Sequence, residues 1–283
     1  MNRIMLKYIM CLGIFLGILS CKSSNASQKQ SPQKTNAIVL EHSLDIPKLD
    51  RSRQIRIYLP IGYYESDQSY PVLYMQDGQN LFDDATSYAG EWGVDESLNA
   101  LATNSGLKMI VVGIDNGQEK RINELSPWEN KKYGKAEGEE FVEFMVHQLK
   151  PFIDSNFRTL PNRKNTSLMG SSLGGLITHY AMFQYPEVFG KAAIFSPSYW
   201  YADEVYSFTK NNPLPRNTKI FMLVGEKEEG MVEPAKKMYH LILETGQKKK
   251  NLKLVSDPEG EHNERFWRRQ FTPAMEWLYL SKK

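Results

Sequence analysis

Short runs rich in apolar residues alternate along the chain with segments that repeat apolar residues at helical spacing. The runs cover residues 71–75, 109–114, 166–169, 191–195, 219–224 and 251–255. The segments with helical spacing cover residues 94–101, 139–155, 176–183, 233–245 and 264–280. Strands that alternate with helices in this way build a mostly parallel sheet. The pattern therefore predicts an α/β fold with helices on both faces of that sheet.

The chain upstream of these runs has a different pattern. Residues 37–44 and 54–60 alternate apolar with polar side chains. A period of two indicates strands with one face in the core and the other in water, which is common in antiparallel pairs. We therefore expect an antiparallel edge on the N-terminal side of the sheet, within one globular domain that covers residues 37–283.

A glycine-x-serine-x-glycine motif, Gly170-Ser171-Ser172-Leu173-Gly174, joins the run at residues 166–169 to the helical segment at residues 176–183. This motif is typical of a nucleophile elbow, in which a strand turns sharply into a helix and presents a serine hydroxyl. The alternative is an ordinary glycine-rich turn with a serine cap. The strand before the motif and the helix after it favour the elbow, so Ser172 is the candidate nucleophile.

A serine nucleophile needs a base, and histidine is the side chain best suited to that role near neutral pH. His179 lies about 10 Å beyond Ser172 along the same predicted helix, too far to reach back. Three more histidines lie in predicted helices or in the first strand region: His147, His240 and His42. His262 follows the last predicted strand, at the edge of a parallel sheet where functional loops gather. We therefore predict that His262 is the base.

The carboxylate that orients the histidine is expected between the serine and the histidine in chain order. Strand 219–224 is followed by Gly225-Glu226-Lys227-Glu228-Glu229-Gly230, which offers three glutamates. We predict Glu228, because a turn at the glycine leaves enough chain for this residue to curl toward the histidine. Glu229 is the second candidate and Glu226 the third, since some of these charges can simply be solvated or can favour the start of the next helix.

Two backbone amides are candidates for stabilising a negative oxygen in the transition state. Leu173 follows the nucleophile, and an Asp77-Gly78 turn after the run at residues 71–75 would aim the amide of Gln79 into the site. The alternative for this segment is an ordinary Asp-Gly turn. Several aromatic residues could instead be core or could wall a pocket for a sugar or an aromatic acyl group: Trp92, Trp128, Tyr199, Trp200 and Tyr201. Of these, Trp92, Tyr199 and Trp200 are the candidates for substrate binding.

The first twenty residues have the pattern of an export signal. A short basic region is followed by an almost wholly apolar stretch at residues 8–19, which is shorter than the roughly 20 apolar residues that a membrane-spanning helix needs. Ile18-Leu19-Ser20-Cys21 resembles a bacterial lipobox, so we expect removal of residues 1–20, lipidation of Cys21 and anchoring in the bacterial cell envelope. The alternative is an ordinary signal peptide and a periplasmic or secreted protein. Residues 21–36 are polar and predict a flexible tether.

Charge and cysteine content exclude several classes of function. The chain has 35 Lys and Arg against 33 Asp and Glu, and the loss of Arg3 and Lys7 with the signal would leave 33 of each. A neutral chain does not indicate a nucleic-acid partner or a basic patch for an anionic membrane. Cys11 and Cys21 are the two cysteines of the chain. The domain therefore has no disulfide and no thiolate zinc site, and without a His-Glu-x-x-His motif we expect neither a metal nor a cofactor.

Taken together, the motifs resemble the esterase D-like family of α/β hydrolases, which includes S-formylglutathione hydrolase, feruloyl and acetyl-xylan esterases, siderophore esterases and mycolyltransferases. The resemblance runs from about residue 56 to residue 271. The matching segments are residues 70–82, 92–95, 112–117 with Arg121, 124–127, 170–175 and 195–200, then Val224-Gly225 with the glutamates, and His262 with Trp267. The resemblance implies an α/β-hydrolase fold, with Ser172 as nucleophile, His262 as base and the amides of Gln79 and Leu173 around the oxyanion.

The function that follows is hydrolysis of a carboxylic ester through a Ser-His-Glu triad and an acyl-enzyme. An exported, tethered enzyme meets polymers and scavenged ligands, so we expect a carbohydrate-linked acetyl or feruloyl ester or a siderophore ester. Two alternatives stay open. One is a lipoprotein that binds such a ligand without turning it over, and the other is an acyltransferase that passes the acyl group to an alcohol.

Overall fold

The computed structural model describes residues 36–281. The predicted export signal, Cys21 and nearly all of the predicted tether lie outside the described residues. Within residues 36–281 the chain forms ten strands and eight α-helices. The strands are β1 Ala37–Val39, β2 Leu44–Ile46, β3 Arg51–Arg53, β4 Ile55–Tyr58, β5 Val72–Gln76, β6 Ile110–Ile114, β7 Thr166–Ser171, β8 Lys191–Phe195, β9 Lys219–Gly225 and β10 Leu252–Asp257. The helices are α1 Val94–Ser105, α2 Arg121–Glu124, α3 Gly138–Phe144, α4 Lys150–Asn156, α5 Leu173–Gln184, α6 Glu204–Asn211, α7 Val232–Glu244 and α8 Glu264–Tyr279.

Eight of these strands form one sheet in the order β1-β4-β6-β5-β7-β8-β9-β10. The six strands from β6 to β10 in this order pair in parallel, while β4 pairs antiparallel with β6 and β1 antiparallel with β4. The predicted α/β fold and its antiparallel N-terminal edge are therefore confirmed. None of the helices in the described range is long and apolar enough to span a bilayer.

Both faces of the sheet are covered, as the uninterrupted apolar runs predict. Along β9, Ile220 and Met222 belong to the hydrophobic cluster under α5 and α7, while Phe221 and Leu223 belong to the cluster under α1 and α8. Successive side chains of a strand point to opposite faces, so a strand buried on both sides needs apolar residues at every position. The parallel strands thus lie in the middle layer of a three-layer domain.

The structure differs from the sequence-based expectation in four places. Residues 37–44 do not form one strand, because β1 ends at Val39 and β2 pairs with β3 in a separate two-stranded sheet. The short helices α2 and α6 were not anticipated. The expected helix at residues 139–155 is divided by a π-helical turn, Met145–Leu149, between α3 and α4. Pro151 follows that turn, and a proline inside a helix removes a backbone donor and crowds the carbonyl four residues earlier, which favours a widened turn.

Candidate active site

Ser172 lies in the turn that joins β7 directly to α5. Its backbone has φ 58° and ψ −123°, a conformation that residues with side chains rarely adopt. Its amide donates a hydrogen bond to the carbonyl oxygen of Phe195 at 3.0 Å, and its carbonyl accepts one from the amide of Ser198 at 3.0 Å. A Cβ on Gly170 would lie 2.3 Å from the carbonyl oxygen of Gly174, so the turn closes only with glycine at position 170. This is the geometry that the motif predicts for a nucleophile elbow.

Three side chains from three loops meet at the carboxyl ends of the parallel strands. His262 lies in the loop after β10, and its Nε2 is 3.0 Å from the Oγ of Ser172. On the other side of the ring, Nδ1 is 2.9 Å from the Oε1 of Glu228, which lies in the loop after β9. When Nδ1 carries the proton and donates it to the carboxylate, Nε2 presents a lone pair to the serine hydroxyl. The arrangement can therefore accept a proton from Ser172.

Glu228 differs from the two other glutamates of its loop in burial and in contacts. It is 4% exposed, and its Oε2 accepts a hydrogen bond from the amide of Gly225 at 2.8 Å. Glu226 and Glu229 are exposed, and neither contacts His262. Two hydrogen bonds hold both oxygens of the Glu228 carboxylate, so its orientation toward the imidazole is fixed.

Close packing brings the loops after β9 and β10 together. A Cβ on Gly225 would lie 2.3 Å from the carbonyl oxygen of Gly260, so these two backbones approach more closely than any side chain permits. The imidazole of His262 packs edge-on against the indole of Trp267, with ring centroids 5.0 Å apart. The indole N–H in turn donates a hydrogen bond to the Oγ of Ser196 at 3.0 Å. His262 is thus held by the carboxylate of Glu228 and by the ring of Trp267.

The two predicted amide donors have no partners among the described residues. The amides of Gln79 and Leu173 each precede the first bonded turn of a helix, and neither donates a hydrogen bond to another residue within 36–281. Gln79 also lines the cleft that contains the serine. Unpaired backbone N–H groups beside a nucleophile are suited to binding a developing oxyanion.

A network of side chains holds the loop that carries Gln79. Asp77 has φ 55°, and its carboxylate accepts two hydrogen bonds from Arg121, at 2.5 and 2.8 Å, and one from Asn116 at 2.6 Å. The amide of Asn116 donates to the side-chain carbonyl of Gln79 at 3.1 Å. Burial alone would raise the pKa of Asp77, but the charge and hydrogen bonds of Arg121 hold it below its usual value. The loop is therefore fixed by a charged pair at its base.

Ser172 and His262 open into a cleft of about 640 Å³. Trp92 lines this cleft, as predicted for a substrate-binding residue, and stacks on Phe195 at 5.8 Å. Trp200 is 54% exposed and is not among the residues that line the cleft, so the cleft does not support a substrate contact for it.

The prediction that Tyr199 walls the substrate pocket is wrong. This tyrosine is 1% exposed, and its hydroxyl is hydrogen-bonded to the Nδ1 of His179 at 2.9 Å. Burial lowers the pKa of His179 to about 3, and its Nε2 contacts the hydroxyl of Thr209 at 2.8 Å. Tyr199 and His179 thus form a buried polar pair, and neither residue lines the cleft.

Three residues at the site were not singled out by the sequence as candidate site residues. Arg121 lines the cleft and clamps the loop of Gln79, although it lies 44 positions from its partner Asp77. The Oγ of Ser198 is 3.3 Å from the Oγ of Ser172. Glu264 lines the cleft at the start of α8, and burial raises the pKa of its carboxyl group. The segments that contain Arg121 and Ser198 are among those that resemble the esterase family. That resemblance was the one sign in the sequence that these two residues lie at the site.

The parallel sheet and the serine held at a strained elbow at its carboxyl edge define an α/β hydrolase. Residues 46–278 match the model of a family described as "Putative esterase", and the chain belongs to that family. The family resemblance and the enzyme class expected from the motifs are therefore confirmed, and the chain is a carboxylic ester hydrolase.

The chain is also similar to individual proteins. It is similar to the uncharacterized protein YbbA of Bacillus subtilis, with 26% identity over 243 residues that cover 81% of this chain and 93% of YbbA. It is 27% identical over 193 residues to an endo-1,4-beta-xylanase/feruloyl esterase of Xylanibacter ruminicola, which covers 62% of this chain and 26% of that protein. Its fold is similar to the enterobactin esterase FES of Shigella flexneri, with a TM-score of 0.70, 20% identity, and coverage of 89% of this chain and 60% of that one.

Proposed function

We propose that Ser172, His262 and Glu228 are the catalytic triad of a serine esterase that acts through an acyl-enzyme. The observation that carries this proposal is the continuous pair of contacts from the serine Oγ to Nε2 at 3.0 Å and from Nδ1 to the carboxylate at 2.9 Å. The strained serine backbone and the unpaired amides of Gln79 and Leu173 support the same reaction.

In the first half of the reaction, Ser172 Oγ attacks the ester carbonyl carbon while its proton passes to Nε2 of His262. The carboxylate of Glu228 stabilises the resulting imidazolium, and the carbonyl oxygen becomes an oxyanion that accepts hydrogen bonds from the amides of Gln79 and Leu173. His262 then gives its proton to the departing alkoxide, so the alcohol leaves and the acyl group stays on the serine. In the second half, His262 takes a proton from a water molecule while the water oxygen attacks the acyl carbonyl carbon. The bond between that carbon and Ser172 Oγ then breaks, His262 returns the proton to Oγ, and the acid leaves.

Hydrolysis of p-nitrophenyl acetate by the purified chain tests this proposal. The Ser172→Ala variant should lose at least about 10³-fold in kcat while its circular dichroism and melting temperature stay close to those of the parent chain. A folded variant that retains most of the activity would overturn the assignment of the nucleophile.

A fluorophosphonate probe and product analysis separate this proposal from its alternatives. An activated serine attacks the phosphonate and becomes covalently labelled, whereas a protein that only binds esters does not react. Labelling should therefore be found on the tryptic peptide that contains Ser172 and should be absent in Ser172→Ala. If an added sugar alcohol diverts most of the acyl group into a new ester, the enzyme is an acyltransferase that uses the same triad.

We further propose that the substrate is a carbohydrate-linked acetyl or feruloyl ester or a siderophore ester. The cleft is large enough for such a group, and Trp92 and Trp267 give it aromatic walls. The named activities of the xylanase/feruloyl esterase and the enterobactin esterase point to the same two classes. Acetylated xylan, feruloylated arabinoxylan and a catecholate siderophore, assayed side by side, distinguish them. Inactivity on all three, with p-nitrophenyl acetate still cleaved, would reject both classes.

For location, we propose export with a lipid anchor at Cys21, on the basis of the sequence Ile18-Leu19-Ser20-Cys21. Mass spectrometry of the N-terminal peptide from a bacterial expression host should find a diacylglycerol-modified Cys21, and Cys21→Ser should release the protein from the membrane fraction. An unmodified mature N-terminus would show that the segment is an ordinary signal peptide.

A further inference from the structure

A second concave surface lies at the amino-terminal ends of the parallel strands, whereas Ser172 lies at their carboxyl ends. This groove of about 610 Å³ is formed where β7, β8, β9 and β10 begin and where α8 ends. Among the described residues, every charged side chain that lines it is a cation, and no carboxylate does so. The seven cations are Arg163, Lys164, Lys191, Arg216, Lys219, Lys248 and Lys250.

The positive charge of this basic groove contrasts with the rest of the domain. Residues 36–281 contain 28 Lys and Arg against 33 Asp and Glu, a formal charge of −5. Seven of those cations line the groove, which leaves 21 cations against 33 carboxylates, or −12, for all other described residues. Cations are therefore concentrated in the groove relative to the rest of the described domain. The near-neutral total of the whole chain conceals this asymmetry.

Helix ends explain only part of the cluster. Lys219 donates a hydrogen bond to the carbonyl oxygen of Trp277 at 3.2 Å, and Lys191 lies over the ring of Tyr279, so both stabilise the C-terminal end of α8. Arg216, Lys248 and Lys250 are exposed and make no ion pair with a carboxylate of the described residues. Three cations thus add to the local repulsion without a counter-charge from the fold.

Lys191 shows the effect of this crowding together with that of burial. Burial, followed by the charges of Lys219, Arg163 and Lys164, lowers the pKa of Lys191 to about 8. Like charges that lie near one another destabilise the folded chain. A multiply charged anion in the groove would relieve this repulsion, whereas water only screens it.

We propose that the basic groove binds two or more phosphate groups that lie close together, either in one polyphosphate anion or in adjacent lipid headgroups. Guanidinium and ammonium groups are the side chains that bind phosphate most strongly, and seven of them around one concavity match several phosphate charges. The groove is bounded by the ends of four strands and one helix, so it suits a compact ligand and not a long polymer. Because β7 has six residues, the groove lies roughly 20 Å from the cleft, and this anion is not the ester substrate.

Two sources could supply such phosphate groups: a soluble polyphosphate or the headgroups of anionic phospholipids. Calorimetric titration of the full-length chain with sodium tripolyphosphate tests the first source. Sedimentation with phosphatidylglycerol vesicles, compared with phosphatidylcholine vesicles, tests the second. The apolar segment at residues 8–19 is common to all variants, so differences between variants report the groove alone.

The informative variant is Arg216→Gln/Lys248→Gln/Lys250→Gln, which removes three exposed charges without disturbing buried contacts. Its matched control is Lys131→Gln/Lys132→Gln/Lys135→Gln, which removes three exposed cations from a loop outside the groove. Hydrolysis of p-nitrophenyl acetate at the parent rate shows that each variant is folded. We expect the groove variant to bind its anion at least about tenfold more weakly and the control to bind like the parent chain.

Each outcome decides the proposal. Tripolyphosphate binding that the groove variant loses supports a soluble phosphate ligand, and binding only to phosphatidylglycerol vesicles that the same variant loses supports a headgroup. Either binding should weaken as salt rises from about 0.05 to 0.3 M. Absence of both, or equal loss in the groove variant and the control, overturns the proposal.

Discussion

The two ends of the parallel strands carry different kinds of side-chain clusters. We call the end with Ser172 the carboxyl edge and the end with the basic groove the amino edge. At the carboxyl edge, single side chains each have a defined partner: Ser172 with His262, Glu228 with the amide of Gly225, and Asp77 with Arg121. At the amino edge, seven cations line one groove, and none of the carboxylates within residues 36–281 lines it. Chemistry at the first edge therefore depends on positions fixed to fractions of an ångström, whereas recognition at the second depends on summed charge. Substitutions should separate the two edges accordingly.

After Ser172→Ala, the largest loss of activity at the carboxyl edge is expected for substitution of Glu228, the carboxylate partner of His262. Glu228→Gln replaces one carboxylate oxygen by an NH2 group, which cannot accept the hydrogen bond from Nδ1, and removes the negative charge that stabilises the imidazolium, so kcat/KM should fall by about 10²- to 10⁴-fold. Steady-state kinetics on p-nitrophenyl acetate measure this loss. Glu226→Gln and Glu229→Gln are matched controls in the same loop and should stay within about twofold of the parent chain. A loss shared by all three variants would mean that the loop, and not the one carboxylate, matters.

The next effect concerns Arg121, which fixes the loop of Gln79 through Asp77. Arg121→Met keeps the length of the side chain but leaves the Asp77 carboxylate without its cation, so the Gln79 amide should lose its alignment. We expect kcat to fall by about 10- to 100-fold with a smaller change in KM, because an oxyanion donor acts mainly in the transition state.

Arg56 offers a control for this prediction. It makes a similar two-point ion pair with Asp115, at 2.7 and 3.0 Å, but does not line the cleft. Arg56→Met should lower the melting temperature to a similar extent and leave kcat within about twofold. Equal losses of kcat in the two variants would show that Arg121 acts only through overall stability.

The same contrast explains what could be predicted from the sequence. The contact between Ser172 and His262 could be predicted, because the elbow imposes glycines at fixed spacing and the parallel strands end on one side of the sheet. Tyr199 was wrongly assigned to the substrate pocket because the sequence does not show whether an aromatic ring near Ser172 faces the cleft or packs against His179. The strand positions followed from continuous apolar runs, whereas the helix α6 depends on tertiary packing.

Interactions between charged residues that are far apart in the chain were the hardest property to predict from the sequence. The pairing of Asp77 with Arg121 and the gathering of lysines at the amino edge join residues that are far apart in the chain, and no local pattern encodes either. The balance of 35 cations and 33 carboxylates led to the expectation of no charged patch. The folded domain distributes those charges unevenly, which composition cannot express.

A smaller effect tests whether the carboxyl edge stores backbone strain. Ser172→Gly should be more stable than Ser172→Ala by about 1 kcal/mol, because glycine adopts a φ of 58° without the steric cost of a Cβ. Ser171 belongs to β7, so the order should reverse there, with Ser171→Gly less stable than Ser171→Ala by about 0.5–1 kcal/mol. Urea denaturation of the four variants measures both differences. The same order at both positions would argue against strain at the serine.

The smallest expected effect tests charge crowding at the amino edge through the pH dependence of stability. The pKa of Lys191 is about 8 in the folded chain and lies near its usual 10.5 after unfolding. Between these two pH values the unfolded chain binds more protons, so stability rises with pH across this window, and the full penalty is present below pH 8.

Lys191→Met removes both the charge and this penalty while keeping the apolar stem against Tyr279. The variant should therefore be at least as stable as the parent chain at pH 7, by up to about 1 kcal/mol, and the difference should vanish as the pH approaches 10.5. Lys253→Met, at an exposed position on β10, is the control and should show no such pH dependence. A Lys191→Met variant that is less stable at every pH would mean that the contacts of this lysine outweigh the repulsion from its neighbours. Tripolyphosphate at pH 7 should stabilise the parent chain more than Lys191→Met, because the anion offsets a charge that the variant no longer carries.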